Sequence, residues 1–316
     1  MKIYNDKKKA SILYYGAGWP TNIGNAFIDL GAQALIKQAV PEAQVFFASE
    51  MPRWLLGYKM PKYTNNAFDI AAYAKCDFLI FSGMAMCEEF VKVNGPSVLE
   101  AKKRGVKVIL LGTGGELYDQ KEYKIYSEFL KELEPLAFIS RDKESFESYK
   151  NIVENSIEGI DCGFFLPLAY QPPELDIPSY TVINFDSMPI PKDNELSDIC
   201  SRQETIYTHH ECWGPIPEKL RLKPKTLISD IPEDYLTLYA NADKIYTDRV
   251  HSCVAALSYG KKAKLFHHTL RGGLLNVVGA NQIRDELISI SIEDLNKRRE
   301  LQINILSKII KENITE

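Results

Sequence analysis

Short apolar runs recur along the chain, each ending in a turn and giving way to a longer stretch of helical period. SILYYG at 11–16 leads through the turn AGWPTNIGN into AFIDLGAQALIKQAV, where Phe27, Leu30, Ala34 and Leu35 are spaced to share one helical face. AQVFFAS, DFLIFSG, KVILLGTGG and LAFISRD repeat the strand-then-turn pattern, with PSVLEAKKRG and KIYSEFLKELEP supplying helices between them. Strands separated by helices in this rhythm predict βαβ units and a parallel, doubly wound sheet.

The stretch LPLAYQPPELDIPSY then concentrates four prolines, a composition typical of a domain linker. After it the rhythm resumes with TVINFDS, a helix around ELSDICSRQE, then ETIYTHHE, the helical PEDYLTLYANA, the strand KIYTD, the helix SCVAALSYG and the strand KAKLFHH. The end, SIEDLNKRRELQINILSKIIKENITE, has the pattern of one long amphipathic helix. The expected architecture is α/β: Rossmann-like domains over 1–170 and 171–295 facing a cleft, with a terminal helix at 296–316 packing back on the first.

Composition narrows the function classes. A length of 316 residues fits two ordinary domains. A formal charge of -4 argues against general nucleic-acid binding, which calls for a basic surplus. Six cysteines are scattered without a CxxC pair, which reads as reduced thiols in a cytoplasmic protein. No run nears the roughly 20 apolar residues of a membrane span, and the basic-then-apolar start is too short and Gly-terminated for a signal peptide. Lys297, Arg298 and Arg299 read as a solvated helix face, with at most a peripheral membrane contact.

Three segments carry candidate chemistry. In GAGWPTNIGN, glycines expose amides at a helix N-terminus, a place that favours anions. Thr21 stands where a dinucleotide fingerprint needs its third glycine, and no GK[ST] follows, so neither nucleotide motif is met. In ISRDKES, Arg141 and Asp142 open a helix at a strand's carboxyl end, where doubly wound sheets bind ligands. In TDRVHSCVAALSYG, Arg249 and His251 occupy the same position in the second half; arginine can hold a carboxylate or phosphate, and histidine can carry a proton near neutral pH. Cys200, His209, His210 and Cys212 lack zinc-ligand spacing, so no metal site is expected. His267 and His268 read as edge or core residues.

The ordered set NIGN, RDKES and DRVHSCVAALSYGKKAKLF resembles the polysaccharide pyruvyl transferase family, whose pattern runs N-x-G-D, R-D-x-x-S, then R-x-H before a small-residue helix. The resemblance implies a GT-B-like fold and transfer of a pyruvyl group from phosphoenolpyruvate to a sugar or glycan, which can be lipid-linked, as a ketal. No cofactor is implied. It places Arg249 and His251 in catalysis, and Asn22, Gly24, Arg141 and Arg249 in substrate binding; Asn25 joins the binding set by its place beside them, and Arg271, in HHTLRGG, is a further cation for an anionic donor. Asn25 stands where the family carries an acid, and SGMAMCEE keeps only Gly83 of a glycine-rich turn. A GT-B glycosyltransferase using a nucleotide-sugar and a catalytically silent sugar-binding relative are the competing readings.

Overall fold

The structure is a computed structural model and describes residues 9–19, 22–51, 56, 62, 67–192, 194–202, 204–211 and 223–314. Two parallel sheets carry the fold. The first comprises β1 (Ser11–Gly16), β2 (Gln44–Ser49), β3 (Phe78–Gly83), β4 (Lys107–Thr113), β5 (Ala137–Ser140) and β6 (Ser156–Glu158), in the order β2-β1-β3-β4-β5-β6. The second comprises β7 (Thr181–Asn184), β8 (Thr205–Thr208), β9 (Thr226–Leu227), β10 (Lys244–Thr247) and β11 (Lys262–Leu265), in the order β11-β10-β7-β8-β9. Every strand pair is parallel.

The strand interiors explain why the apolar runs were continuous. FLIF of β3 and VILLGT of β4 are buried at every residue, as strands covered on both faces must be. Edge strand β2 instead leaves Phe46 and Phe47 exposed. Helices α1 (Ile23–Ala39), α2 (Gly95–Lys103), α3 (Gln120–Leu133), α4 (Lys143–Tyr149), α5 (Asn194–Ser201), α6 (Pro232–Asn241), α7 (Val250–Ser258) and α8 (Ile292–Glu312) alternate with the strands. The core of the first sheet joins Leu13, Leu79, Leu110 and Phe138 to Phe90 of a short helix, Glu88–Val93, and to Val98 of α2 and Phe129 and Leu130 of α3. That of the second joins Ile183, Tyr207 and Tyr246 to Leu196 and Ile199.

Residue contacts divide the chain into two compact units, Met1–Ala17 with Gln33–Gly159 and Glu300–Glu316, and Gly18–Ala32 with Ile160–Arg299. The sequence reading sets its boundary at residue 170; the contacts divide at Gly159 and Ile160, so the proline-rich stretch lies in the second unit.

Two helices depart from the sequence reading in how they are buried. In α1, Leu30 and Ala34 are only partly covered, while Ile23, Ala26, Phe27, Ala32, Leu35 and Ile36 are buried. The backbone itself is approached closely on this helix: a Cβ on Gly31 would lie 1.9 Å from the carbonyl oxygen of Cys162, which no side chain tolerates. In α8, Arg299 does not face solvent with Lys297 and Arg298. Its guanidinium is buried and donates to the carbonyls of Phe164 (2.6 Å) and Ser258 (3.1 Å) and to Asn296 Oδ1 (2.7 Å). The basic run is therefore split, because the buried seam Leu295, Arg299, Gln302, Leu306 and Ile310 recurs at helical spacing and captures its last member.

Connectivity marks one place in each sheet where ligands of such folds bind. The chain leaves β1 towards β2 on one side and returns to β3 on the other. In the second sheet it leaves β7 towards β8 and β9, then returns to β10 on the opposite side. The connections leaving β7 and β10 thus run in opposite directions across the sheet, which makes the carboxyl ends of these strands its switch point.

Candidate functional site

The switch point of the second sheet is bridged by charge. Arg249 follows β10 by two residues, and its Nε donates to Asp186 Oδ2 at 2.9 Å; Asp186 follows β7 by two residues. Asp186 has no exposed side-chain surface, and all of its accepting capacity is used. Oδ1 takes hydrogen bonds from His209 Nδ1 (2.7 Å) and Asn184 Nδ2 (3.0 Å), and Oδ2 takes a further one from the backbone N–H of His210 (3.1 Å). Burial pushes this carboxyl up, but the His209 hydrogen bond and the positive charge beside it outweigh burial and hold it well below the usual carboxylate range.

The turn that carries Asp186 is built by another acid. The Asp248 carboxylate accepts from the backbone N–H groups of Asp186 (3.1 Å), Ser187 (2.7 Å) and Met188 (2.9 Å), closing three amides on one anion. Arg249 itself remains partly exposed, at 18% of its side chain, and its Nη2 donates to Glu211 Oε1 at 2.6 Å. Glu211 is half exposed, so the outer edge of the guanidinium is held by a carboxylate that can move away into water.

His251 lies in the first turn of α7. Its Nε2 is buried, has no hydrogen-bond partner among the described residues, and stands 3.6 Å from Asp161 Oδ2. Asp161 is fully buried and its other oxygen caps the following turn by accepting from Gly163 N–H at 2.8 Å. The start of α1 is at the same place. Asn22 Oδ1 accepts from Gly24 N–H (2.9 Å), Ile23 N–H donates to the carbonyl of His210 (3.0 Å), and a Cβ on Gly24 would lie 3.4 Å from His251 Cβ. Asn22, Gly24, Arg249 and His251 are therefore brought together within the second unit. Asn25 is half-buried in the first turn of α1, and Arg271 lies in the turn after β11, its backbone N–H bonded to Thr269 Oγ1 at 3.3 Å.

The glycine turn before α1 is not an open set of amides. Gly18 N–H is taken by Asp29 Oδ2 of α1 at 3.0 Å, while Pro20 and Thr21 lie outside the described residues. Arg141 belongs to the first unit and is 1% exposed. Its Nη2 donates to the carbonyl of Gly115 at 2.8 Å, and its Nε stands 3.6 Å from Asp142 Oδ2. Asp142 caps α4 through Ser145 N–H (2.7 Å) and accepts from the Tyr118 hydroxyl (2.8 Å). The Glu122 carboxylate in turn gathers the backbone N–H groups of Glu116, Leu117 and Tyr118. Arg141 thus sits in a buried lattice of its own unit.

The adjacent histidines after β8 part company. The His209 ring turns to Asp186, and that hydrogen bond raises its imidazole above the ordinary range. The His210 ring turns to the Tyr239 hydroxyl (2.6 Å) in a fully buried setting that pushes it down to about 3. Side chains of consecutive residues in extended chain point to opposite sides, so the pair does not converge on one point. Of the residues weighed as zinc ligands, Cys212 lies outside the described residues. Asp186, Asp161, Asp248 and His209 are site residues the sequence does not single out; the available signal was the position of Asp186, directly after the apolar run TVINF.

Comparison with known proteins gives the family and the fold. The family model described as polysaccharide pyruvyl transferase matches residues 22–263. No curated protein matches the chain in sequence. Among solved structures, UDP-GlcNAc 2-epimerase from Methanocaldococcus jannaschii is similar at a TM-score of 0.57 and 13% identity, over 96% of this chain and 99% of that one. The UDP-GlcNAc 2-epimerase from Neisseria meningitidis bound to UDP-GlcNAc is similar at 0.53 and 12% identity, over 96% and 98%. At such low identity the likeness is one of fold alone, and that fold is GT-B-like, doubly wound α/β.

Proposed function

The chain belongs to the polysaccharide pyruvyl transferase family, and we propose that it transfers the pyruvyl group of phosphoenolpyruvate to two hydroxyls of a saccharide, forming a ketal and releasing phosphate. The observation that carries this reading is the guanidinium of Arg249 at the switch point of the second sheet, with His251 two residues on at the start of α7. Phosphoenolpyruvate brings a carboxylate and a phosphate. A planar guanidinium braced on one edge by Asp186, beside helix N-termini, is a fitting receptor for either group.

In this reading Arg249 exchanges Glu211 for an oxygen pair of the donor. His251 takes the proton of the attacking hydroxyl. Asp161 faces Nε2, so a proton held there meets a carboxylate, and Nδ1 is the nitrogen left to exchange protons with the acceptor. Asn22 and Gly24 set the α1 terminus against His251, with Asn25 on the acceptor side, and Arg271 contributes a second cation from the same sheet edge. The acceptor is a glycan or its precursor, consistent with the family's description.

The test is phosphate release from phosphoenolpyruvate across a panel of saccharides, with the product identified by mass spectrometry. Release that requires a saccharide, and that falls by at least about 10²-fold in His251→Gln, is expected. Turnover of a UDP-sugar without phosphoenolpyruvate would transfer the chain to the glycosyltransferase reading. Saccharide binding without turnover of either donor would make it a silent binding protein.

A further inference from the structure

We propose that His209, oriented by Asp186, is a second catalytic residue of this site, the acid that protonates the methylene carbon of the donor, while His251 serves the acceptor hydroxyl. The inference rests on the pyruvyl-transfer reading and deepens it. Ketal formation moves protons at chemically distinct places: one must arrive on carbon, and two must leave oxygen. One imidazole would have to reach all of them. The switch point holds two rings instead, His209 after β8 and His251 after β10, on the strands that flank β7.

The geometry fixes which nitrogen of His209 acts. Asp186 is ionised and can only accept, so the His209 Nδ1 facing it at 2.7 Å carries a hydrogen in either protonation state. Proton exchange is left to Nε2. The carboxylate cannot turn away, because Asn184, Arg249 and the His210 backbone hold its oxygens from three other directions. The charged groups facing the ring are Asp186 and Glu211, which favour the imidazolium, and Arg249, which opposes it; the balance raises the ring's proton affinity. Its neighbour His210 is driven the opposite way by burial, and adjacent titratable groups pushed apart in this manner mark an assigned acid.

The proton count closes. The first hydroxyl oxygen bonds to C2 of the donor as the C2–C3 double bond breaks. C3 takes the Nε2 proton of the His209 imidazolium to become a methyl group, and the hydroxyl proton passes to neutral His251. The C2–O bond to phosphate then breaks, phosphate leaving with the proton held by His251. The second hydroxyl oxygen bonds to C2 and gives its proton to His209. Both histidines return to their starting states, and the products are the ketal and inorganic phosphate.

The experiment is the kcat–pH profile of the wild type, His209→Gln and Asp186→Asn with phosphoenolpyruvate and an accepted saccharide, together with calorimetric phosphoenolpyruvate binding. The wild type should lose kcat as pH rises through the His209 titration. His209→Gln should lose at least about 10²-fold in kcat while binding phosphoenolpyruvate within a few-fold, which also shows that it is folded. Asp186→Asn should move the basic limb of the profile to lower pH, because the imidazolium has lost its counter-charge. Turnover within about threefold of wild type in His209→Gln overturns the assignment, as does a loss confined to phosphoenolpyruvate affinity. A wild-type kcat flat between about pH 6 and 9 overturns it without any variant. A wild type that releases no phosphate with any saccharide defeats the pyruvyl-transfer reading and this step together, an outcome distinct from an active His209→Gln.

Discussion

Arg141 and Arg249 both follow a parallel strand and both stand next to an aspartate, in Ser140-Arg141-Asp142 and Thr247-Asp248-Arg249. Their surroundings differ because the strands have different neighbours. Around β5 the chain advances from β4 to β5 to β6 in one direction across the sheet, so successive loops leave on the same side and fold over one another. Arg141 ends up 1% exposed, donating to the carbonyl of Gly115. Around β10 the chain has reversed direction across the sheet, so the connections leaving β7 and β10 run opposite ways. Arg249 keeps an outer edge, and its partner there is the half-exposed Glu211. Position at a strand's carboxyl end therefore does not by itself leave an arginine with an open edge; the direction in which the chain moves across the sheet before and after the strand differs between the two.

The largest effect that could break this comparison is Arg141→Ala. Removing a buried cation from Asp142 and Gly115 should cost about 3–5 kcal/mol of stability in chemical denaturation. Phosphoenolpyruvate affinity of the folded fraction should stay within a few-fold. A variant of wild-type stability that has lost donor binding would put Arg141 in the site and erase the contrast. Arg249→Ala should show the reverse, weakening donor binding by about 2–5 kcal/mol in calorimetry with little change in melting temperature. Arg249→Lys should restore only part of it, since an ammonium lacks the planar fork.

Asp186→Asn sharpens the comparison through pH. The carboxyl is held below its unfolded value, so the stability it contributes is fully present above about pH 4 and drains away as pH falls towards the folded pKa. The variant should lose about 1.5–3 kcal/mol at neutral pH and show a flatter decline below about pH 4. Denaturation curves at a series of pH values read both. The smallest effect belongs to Glu211→Gln, which should tighten phosphoenolpyruvate binding by about 0.2–1 kcal/mol by removing an exposed competitor for Arg249. Weaker binding in this variant would mean that Glu211 supports the donor rather than yielding to it.

How much of this could be read from the sequence follows from the range of the interactions. The alternation of strands and helices was legible because parallel strands buried on both faces leave unbroken apolar runs, as in β3 and β4. The pair Arg249 and His251 was legible because a single strand-to-helix turn places both. The partners that define their chemistry come from far away in the chain: Asp186 is 63 residues from Arg249 and 23 from His209. Only strand order joins them, and periodicity does not encode strand order. The adjacency of His209 and His210 is visible in a sequence, whereas the opposite turn of their rings is not. Arg299 is hidden for a related reason: consecutive helical residues point about 100° apart, and what the helix packs against decides which of the three is buried.

The closing of Asp248 on the amides of Asp186, Ser187 and Met188 has a consequence for how fast a ligand can be captured. A loop that had to organise itself around an incoming anion would make association wait on its rearrangement. Here an internal carboxylate already occupies the anion's place in the turn, so the segment bearing Asp186 is set before any encounter. Under the pyruvyl-transfer reading, association should then be limited by encounter and by the release of Glu211 from Arg249, not by the ordering of this turn. The amide hydrogens of Ser187 and Met188 should also exchange with deuterated water as slowly as those of the sheet, although they belong to a connection between elements.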